Sequence, residues 1–373
     1  MATATQEKIG RATDRIFNFG AGPAVLPVPV LEEAQRDLLS LPGAGMSILE
    51  ISHRSKTFEG ILEAAIADFR RLASIPSNYR LLFLQGGASL QFSMVPMNLL
   101  PADRSADYVV TGSWSKKAVK EAQKVGMVSI AASTEAEGFT RIPEQSELRF
   151  DPEACYVHIT TNNTIFGTEW QREPAVGRVP LVADASSDIF SRPIDVTRYA
   201  LIYAGAQKNL GPAGVTLAIL REDLLERSPK GLPTMLDYNT HAQNNSLYNT
   251  PPVFAIYLVR LVAKWMLAEG GLEAIGRRNE EKAKILYDAL DGSGGFYRPH
   301  AKPGSRSNMN VTFRLPSEDL EKQFLSEADK HGFSGLKGHR SVGGIRASIY
   351  NAFPVAGVEA LVGFMKQFAA KNG

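Results

Sequence analysis

Six short apolar runs constrain this chain more than any other feature: "YRLLFL", "DYVVT", "CYVHIT", "VPLVA", "ALIYAG" and "GVTLAIL", in that order between residues 79 and 220. Their apolarity is continuous rather than alternating. That pattern suits strands covered on both faces, and such strands belong to parallel sheets with helices above and below. Helical stretches are at hand to supply the cover. "KTFEGILEAAIADFRRLASI" sets Ile61, Leu62, Ala65, Ile66, Phe69 and Leu72 on one helical face, and "WSKKAVKEAQKVG" reads as a connector. The expected fold class is α/β, with a mainly parallel sheet.

The residues directly after five of these runs point to a site. "YRLLFL" runs into "QGGAS", "DYVVT" into "GSWS", "CYVHIT" into "TNNT", "VPLVA" into "DASSD" and "ALIYAG" into "AQKN". Ligands of open α/β sheets bind outside the carboxyl ends of the strands, so these five segments should converge. Farther on, the helical stretch from Pro251 to Leu290 is interrupted at Gly270-Gly271. "NMNVTFRL", "EDLEKQFLSEADKHGF", "GIRASIY" and "VEALVGFMKQFAA" then read as strand, helix, strand, helix. The expected organisation is a polar arm over 1–15, a large domain over 16–269 and a smaller C-terminal α+β domain over 270–373.

Charge is nearly balanced, with 41 basic and 39 acidic residues. This argues against a general nucleic-acid or membrane-surface binder and makes the basic clusters local features. Two clusters stand out: His53 and Arg54 in "SHRS", and His339, Arg340 and Arg346 in "GHRSVGGIRASIYN". Planar guanidinium forks suit carboxylate and phosphate, and glycines let the backbone approach a ligand closely. The single cysteine, Cys155, excludes an internal disulfide and a Cys-rich metal site, and fits a reducing compartment. No apolar run reaches the roughly 18 residues of a membrane span. "MATATQEKIGRATDR" lacks the apolar core of a secretory signal, although its scarcity of acids leaves a transit peptide open. The chain is expected to be cytoplasmic and to hold no metal.

The strand ends carry the chemistry. A lysine such as Lys208, near apolar surroundings and other cations, can lose its proton and condense with a carbonyl as a Schiff base. Asp184, at the end of the preceding run, can pair with a protonated pyridine nitrogen and keep a pyridoxal ring electron-withdrawing. Trp114 offers a face for stacking, and Thr164 a hydroxyl for the ring oxygen. The "GGAS" turn offers backbone N–H groups to a phosphate. Singly, each has an ordinary role: Lys208 as a solvated lysine, Asp184 as a helix cap before Ser186-Ser187, Trp114 as packing. Their joint placement is what argues for a site.

"FNFGAGPAVLP", "SHRSKTFEGI", "LFLQGGASLQF", "ADASSDIFSRPID", "YAGAQKNLGPAGV", "YNTPPVFAIY" and "GHRSVGGIRASIYNA" resemble the phosphoserine aminotransferases. These belong to the fold-type I, class V group of pyridoxal 5'-phosphate enzymes, and the likeness runs in order over residues 16 to 368. The resemblance implies that Lys208 binds the cofactor covalently and that Asp184 partners its ring nitrogen. It implies that Trp114 stacks on the ring and that Thr164 meets the ring hydroxyl. Ala88, Ser89 and Gln207 would serve the cofactor phosphate, with Asn249 and Thr250 reaching it from a neighbouring subunit, so that a homodimer with shared active sites is implied. Arg346 would fork the substrate α-carboxylate. His53, Arg54, His339 and Arg340 would surround the substrate phosphate across the dimer interface, and Arg54 would also meet the side-chain carboxylate of glutamate. The implied reaction moves an amino group between L-glutamate and 3-phosphohydroxypyruvate, giving O-phosphoserine and 2-oxoglutarate. The related phosphohydroxythreonine of vitamin B6 synthesis is a second candidate substrate.

Two positions depart from the pattern: Ser89 stands where one branch has an arginine, and Ala21 where some members have a serine. Other readings stay open. Another class V aminotransferase, acting on serine or on alanine and glyoxylate, would need only one anion fork. A cysteine desulfurase would need a nucleophilic cysteine on a mobile loop, and Cys155 starts a strand-like run. A catalytically silent binding protein would have no need of Lys208. A nucleotide-binding reading lacks its motifs, since no G-x-x-x-x-G-K-[ST] is present.

Overall fold

The computed structural model describes residues 15–373, so the arm expected over 1–15 lies outside the described residues except for Arg15. Among the described residues seven strands build the central sheet: β1 (Tyr79–Leu84), β2 (Ser105–Val110), β3 (Met127–Ser133), β4 (Val157–Thr160), β5 (Leu181–Asp184), β6 (Leu201–Gly205) and β7 (Thr216–Arg221). Their spatial order is β1-β7-β6-β5-β4-β2-β3. Neighbours from β6 across to β3 pair parallel, while β7 runs antiparallel between β1 and β6. The fold is the mainly parallel α/β arrangement expected of the sequence.

One strand, β3, falls outside the six apolar runs. It forms the sheet edge, with Met127 and Ile130 exposed and only Ala131 buried. β1, at the other edge, is covered and keeps its apolar run, whereas β3 is largely exposed, so its sequence, "MVSIAAS", carries no continuous apolar signal.

Successive residues of the central strands point to opposite faces, and both faces are dry. Phe83, Ile159, Ala183 and Ile202 face one core with α1 (Lys56–Ala73), while Leu82, Val182 and Tyr203 face a second core with α2 (Gly87–Leu99) and α3 (Ser113–Ala122). α1 starts where Ser55 Oγ accepts from Phe58 N, which places Phe58, Ile61, Leu62, Ala65 and Phe69 on its buried stripe. Against α1 lies α4 (Val253–Ala268), with Ile256, Val259 and Met266 fully buried.

The chain turns at Gly270 (φ 95°) and Gly271 (φ 70°), a left-handed pair that other residues adopt only under strain. Helix α5 (Gly271–Asp291) then runs between two cores: Leu272 and Ile275 pack with the sheet, Leu286 and Leu290 with the C-terminal region. That region holds an antiparallel sheet of β8 (Arg298–Pro299), β9 (Asn310–Arg314) and β10 (Ile345–Ser348), covered by α6 (Glu318–Lys330) and α7 (Val355–Asn372). Aromatic rings fill its core, among them Phe313, Phe324, Phe364 and Phe368. Phe19, far back in the chain, is buried there too, and the pair Phe17–Asn18 lies parallel to Phe333–Ser334.

Hydrogen bonds lock the C-terminal sheet onto the end of β4. Asn162 Nδ2 donates to Asn310 Oδ1 (2.8 Å), Thr312 Oγ1 to the Phe166 carbonyl (2.8 Å) and Asn308 N to Glu169 Oε2 (2.8 Å). Lys282, on α5, is wholly buried and donates to the carbonyls of Ile349 (2.9 Å), Tyr350 (2.6 Å) and Phe353 (3.1 Å). It thereby fixes the chain just after β10. Lys282→Met leaves three carbonyls without their donor, and equilibrium urea unfolding is expected to show a loss of about 3 kcal/mol. An unchanged midpoint would show that these bonds hold nothing.

Candidate active site

Five strand ends meet in one pocket of about 120 Å³. β1 leads into Gly86 (φ 83°), and α2 begins directly after it with no side chain capping its first turn. Gly87, Ala88 and Ser89 line the pocket at this uncapped helix start, where backbone N–H groups and the helix dipole favour an anion. No acid stands in that turn to compete. β2 delivers Trp114 at the head of α3, and the indole forms a wall. The end of β4 delivers Thr160, Asn162 and Thr164.

β5 ends in Asp184, which register sets between Thr160 and Tyr203. The carboxyl is buried, and burial raises its pKa against the opposing pull of Ser186 and Lys208. Its Oδ1 accepts from Ser186 N (3.0 Å) and Ser186 Oγ (2.6 Å), while Oδ2 accepts from no described residue. The local cap and the functional group are therefore the same side chain: one oxygen closes the turn and the other serves the pocket.

β6 ends at Gly205 and the chain turns to present Gln207 and Lys208. Lys208 Nζ donates to Thr164 Oγ1 at 2.7 Å. Burial pushes its ammonium down to about 8, with Arg346 acting in the same direction and Asp184 opposing. Gly22 lies against the Lys208 methylenes: a Cβ at Gly22 would sit 3.4 Å from Lys208 Cγ. Tyr350 Oη donates to the Ala21 carbonyl (3.0 Å), and Ala24 N to the Gln207 carbonyl (2.8 Å). The segment around Ala21 is thus laid over the lysine from both sides.

Arg346 stands on β10 within electrostatic reach of Lys208. It forms no ion pair among the described residues, and its Nε is buried without a partner. Burial lowers its pKa, so the guanidinium sits where an anion would relieve it. His339 lies in the turn before β10; Nδ1 accepts from Ser341 N (3.3 Å) and meets Ser341 Oγ at 2.7 Å, which leaves Nε2–H pointing outward. Its imidazole is pushed down by burial, then by Arg346, Arg340 and Lys117. Arg340 beside it is exposed.

Four expected residues are not brought to this pocket by the chain itself. His53 and Arg54 occupy the turn before α1 and make no hydrogen bond or ion pair to a pocket residue among those described; His53 Nε2 is buried and unpartnered. Asn249 lines a separate cavity with Leu90 and Met94, and Thr250 is exposed beside it. Three contributors are not evident as site residues in the sequence. Ser186 is visible there only as part of a cap, Tyr350 as an aromatic in a strand-like run, and Lys117 as one of several helix lysines.

The groups present fit pyridoxal phosphate. An uncapped helix start suits the phosphate, an indole face the ring, a free carboxylate oxygen the ring nitrogen, and a depressed lysine the aldehyde. The class V aminotransferase profile matches residues 16–361. The chain belongs to the class V aminotransferases. It is 58% identical over 358 residues to a phosphoserine aminotransferase of Herpetosiphon aurantiacus, covering 96% of this chain and 99% of that one. It is 60% identical over 354 residues to that of Geobacillus kaustophilus, covering 95% and 98%. Among solved structures, phosphoserine aminotransferase from Bacillus circulans subsp. alkalophilus superposes with a TM-score of 0.95 at 52% identity, over 97% of this chain and 100% of that one. The pyridoxal-phosphate-bound enzyme of Trichomonas vaginalis gives 0.90 at 38%, over 94% and 100%. The cofactor of this class V member is pyridoxal phosphate.

The lowered Lys208 pKa has a measurable sign. Its neutral form, which attacks the aldehyde, is nearly full above the folded pKa of about 8 and falls away below it. In cofactor-free protein the loading rate, read by stopped-flow absorbance, is expected to rise about tenfold per pH unit up to about 8 and then level. An ordinary lysine would keep climbing to about pH 10.

Proposed function

We propose that the pocket transfers an amino group between L-glutamate and 3-phosphohydroxypyruvate, yielding O-phospho-L-serine and 2-oxoglutarate, a step of serine biosynthesis. The same chemistry would accept the phosphorylated hydroxythreonine of pyridoxine synthesis. The observation that carries this reading is a depressed lysine amine, Lys208, lining a pocket with Asp184 and lying within electrostatic reach of the acid-free Arg346.

Pyridoxal phosphate bound there supplies an aldehyde that condenses with amines and a ring that draws electrons from the carbon being deprotonated. Asp184 Oδ2 holds the proton on the ring nitrogen, and Ser186 keeps that carboxylate from turning away. Trp114 fixes the ring plane. Gly87, Ala88 and Ser89 hold the phosphate with backbone N–H groups, together with Gln207. Arg346 forks the α-carboxylate of either amino acid and so aims Cα at Lys208 Nζ. Lys208 Nζ would accept the proton lost from Cα and hand it back, and Thr164 Oγ1 steadies the amine. The strands and the Ala21 segment exclude bulk water from that exchange.

Substrate phosphate is read by His339 and Arg340, joined by His53 and Arg54 of a second subunit. Asn249 and Thr250 would complete the cofactor-phosphate site in the same way. The support is that His53, Arg54, Asn249 and Thr250 do not line the pocket of their own chain, while the turn of His339 and Arg340 carries positive charge with Arg346 beside it. The enzyme is accordingly a homodimer with shared sites, and each chain consists of a large domain over 16–269 and a small one over 270–373. No helix among the described residues is long and apolar enough to cross a membrane, and a cytoplasmic location fits an enzyme of small phosphorylated metabolites.

Titration of the holoenzyme with O-phosphoserine is expected to bleach the visible cofactor band, while plain serine at the same concentration leaves it in place. Equal bleaching by both would keep the aminotransferase and discard phosphate recognition. Lys208→Ala is expected to lose the band and all measurable turnover; turnover near the parent rate would overturn the role of the lysine.

A further inference from the structure

Lys117 lies on α3, one turn after Trp114, and its surroundings differ from those of the lysines beside it. Lys116 is paired with Glu135; Lys117 and Lys120 have no acid partner among the described residues, and of these only Lys117 stands against an aromatic ring. Its Nζ stands over the Trp114 indole, 4.2 Å from the ring centre, on the residue that walls the cofactor pocket. Trp114 and Val342 both pack on the core beneath α2 and α3, which brings the turn of His339 and Arg340 to this side of α3. The charge of Lys117 is felt at His339 together with those of Arg340 and Arg346.

Four cationic or protonatable groups therefore lie within electrostatic reach of one another, tied to the pocket through Trp114 and Lys208, with no acid paired to Lys117, Arg340 or Arg346. Like charges so placed repel unless an anion joins them. The pocket edge at the start of α2 is uncharged: its first turn has neither acid nor base, and its backbone is given to the cofactor phosphate. A phosphorylated substrate brings about two negative charges to the end remote from Cα, whereas glutamate brings one. We propose that Lys117 binds the phosphate of the phosphorylated substrate and so favours it over glutamate. The inference rests on the phosphate-binding role proposed for His339 and Arg340. The aromatic face keeps the ammonium extended and partly stripped of water, so less freedom is lost when the anion arrives.

The experiment is a pair of half-reactions on holoenzyme, O-phosphoserine in one and glutamate in the other, followed by loss of the visible band in Lys117→Met, Lys117→Arg and Arg340→Met. Lys117 is exposed, so its replacement leaves the fold intact. Lys117→Met is expected to raise the half-saturating O-phosphoserine concentration about tenfold, the worth of one charge-assisted contact, and to leave glutamate within about twofold. Lys117→Arg is expected to restore the parent value. Parent-like O-phosphoserine binding in Lys117→Met overturns the proposal, as does an equal loss for both substrates, which would assign Lys117 to support of Trp114. Arg340→Met separates the two levels of the argument. If it weakens O-phosphoserine while Lys117→Met does not, the phosphate reading stands and Lys117 is outside it. If neither variant has an effect, the reading of the whole cluster falls.

Discussion

Parallel pairing is the constraint from which the site derives. Strands β2, β4, β5 and β6 run the same way, and β1, across the antiparallel β7, does so too. Their carboxyl ends therefore emerge along one edge at intervals of about 4.8 Å, with one polar group available from each. That spacing matches an aromatic ring with a charged group at either side. It lets Asp184, Lys208, Thr164, Trp114 and the start of α2 surround one small volume although they lie far apart in sequence. An antiparallel sheet would scatter the same residues over two edges.

Several arginines away from the pocket are matched by acids. Arg141 is held by Glu137 and Glu147, Arg306 by Asp291, and Arg314 by Glu321. Even the deeply placed Arg192 meets Glu169 at 3.2 Å, and there burial and the neighbouring Glu169 raise Asp188 to about 7. Against that background the acid-free Arg346, the unengaged oxygen of Asp184 and the lowered Lys208 are departures from a general rule. They mark the places that a ligand fills, because they gather around one cavity that Asp184 and Lys208 both line.

Much of this was legible in the sequence, and the reason is physical. Continuous apolarity reports cover on both faces, so six of the seven sheet strands could be read, and a polar residue straight after such a run must stand at a strand end. Lys208, Asp184 and Trp114 were found in that way. β3 was not, since an edge strand with exposed Met127 and Ile130 has no such signature. Ser186, Tyr350 and Lys117 escaped because their importance lies in what they touch: Asp184 Oδ1, the Ala21 carbonyl and the Trp114 ring. His53 was legible only as part of a basic cluster and Asn249 only through resemblance, since neither follows an apolar run that would place it at a strand end.

The cover over Lys208 sets an order on the making of the enzyme. Ala21 and the pair Phe17–Asn18 leave the ribosome before any strand of the central sheet, yet Tyr350 comes 329 positions after Ala21, and Phe333–Ser334 come almost as far behind Phe17–Asn18. The nascent chain can build its central sheet while still tethered, but the Ala21 segment is not held beside Lys208 until Tyr350 has emerged. Contacts of such span carry a high loop-entropy cost and contribute only after the rest has closed. A chain cut short after the sheet would therefore carry the reactive lysine without the contacts that hold the Ala21 segment against it.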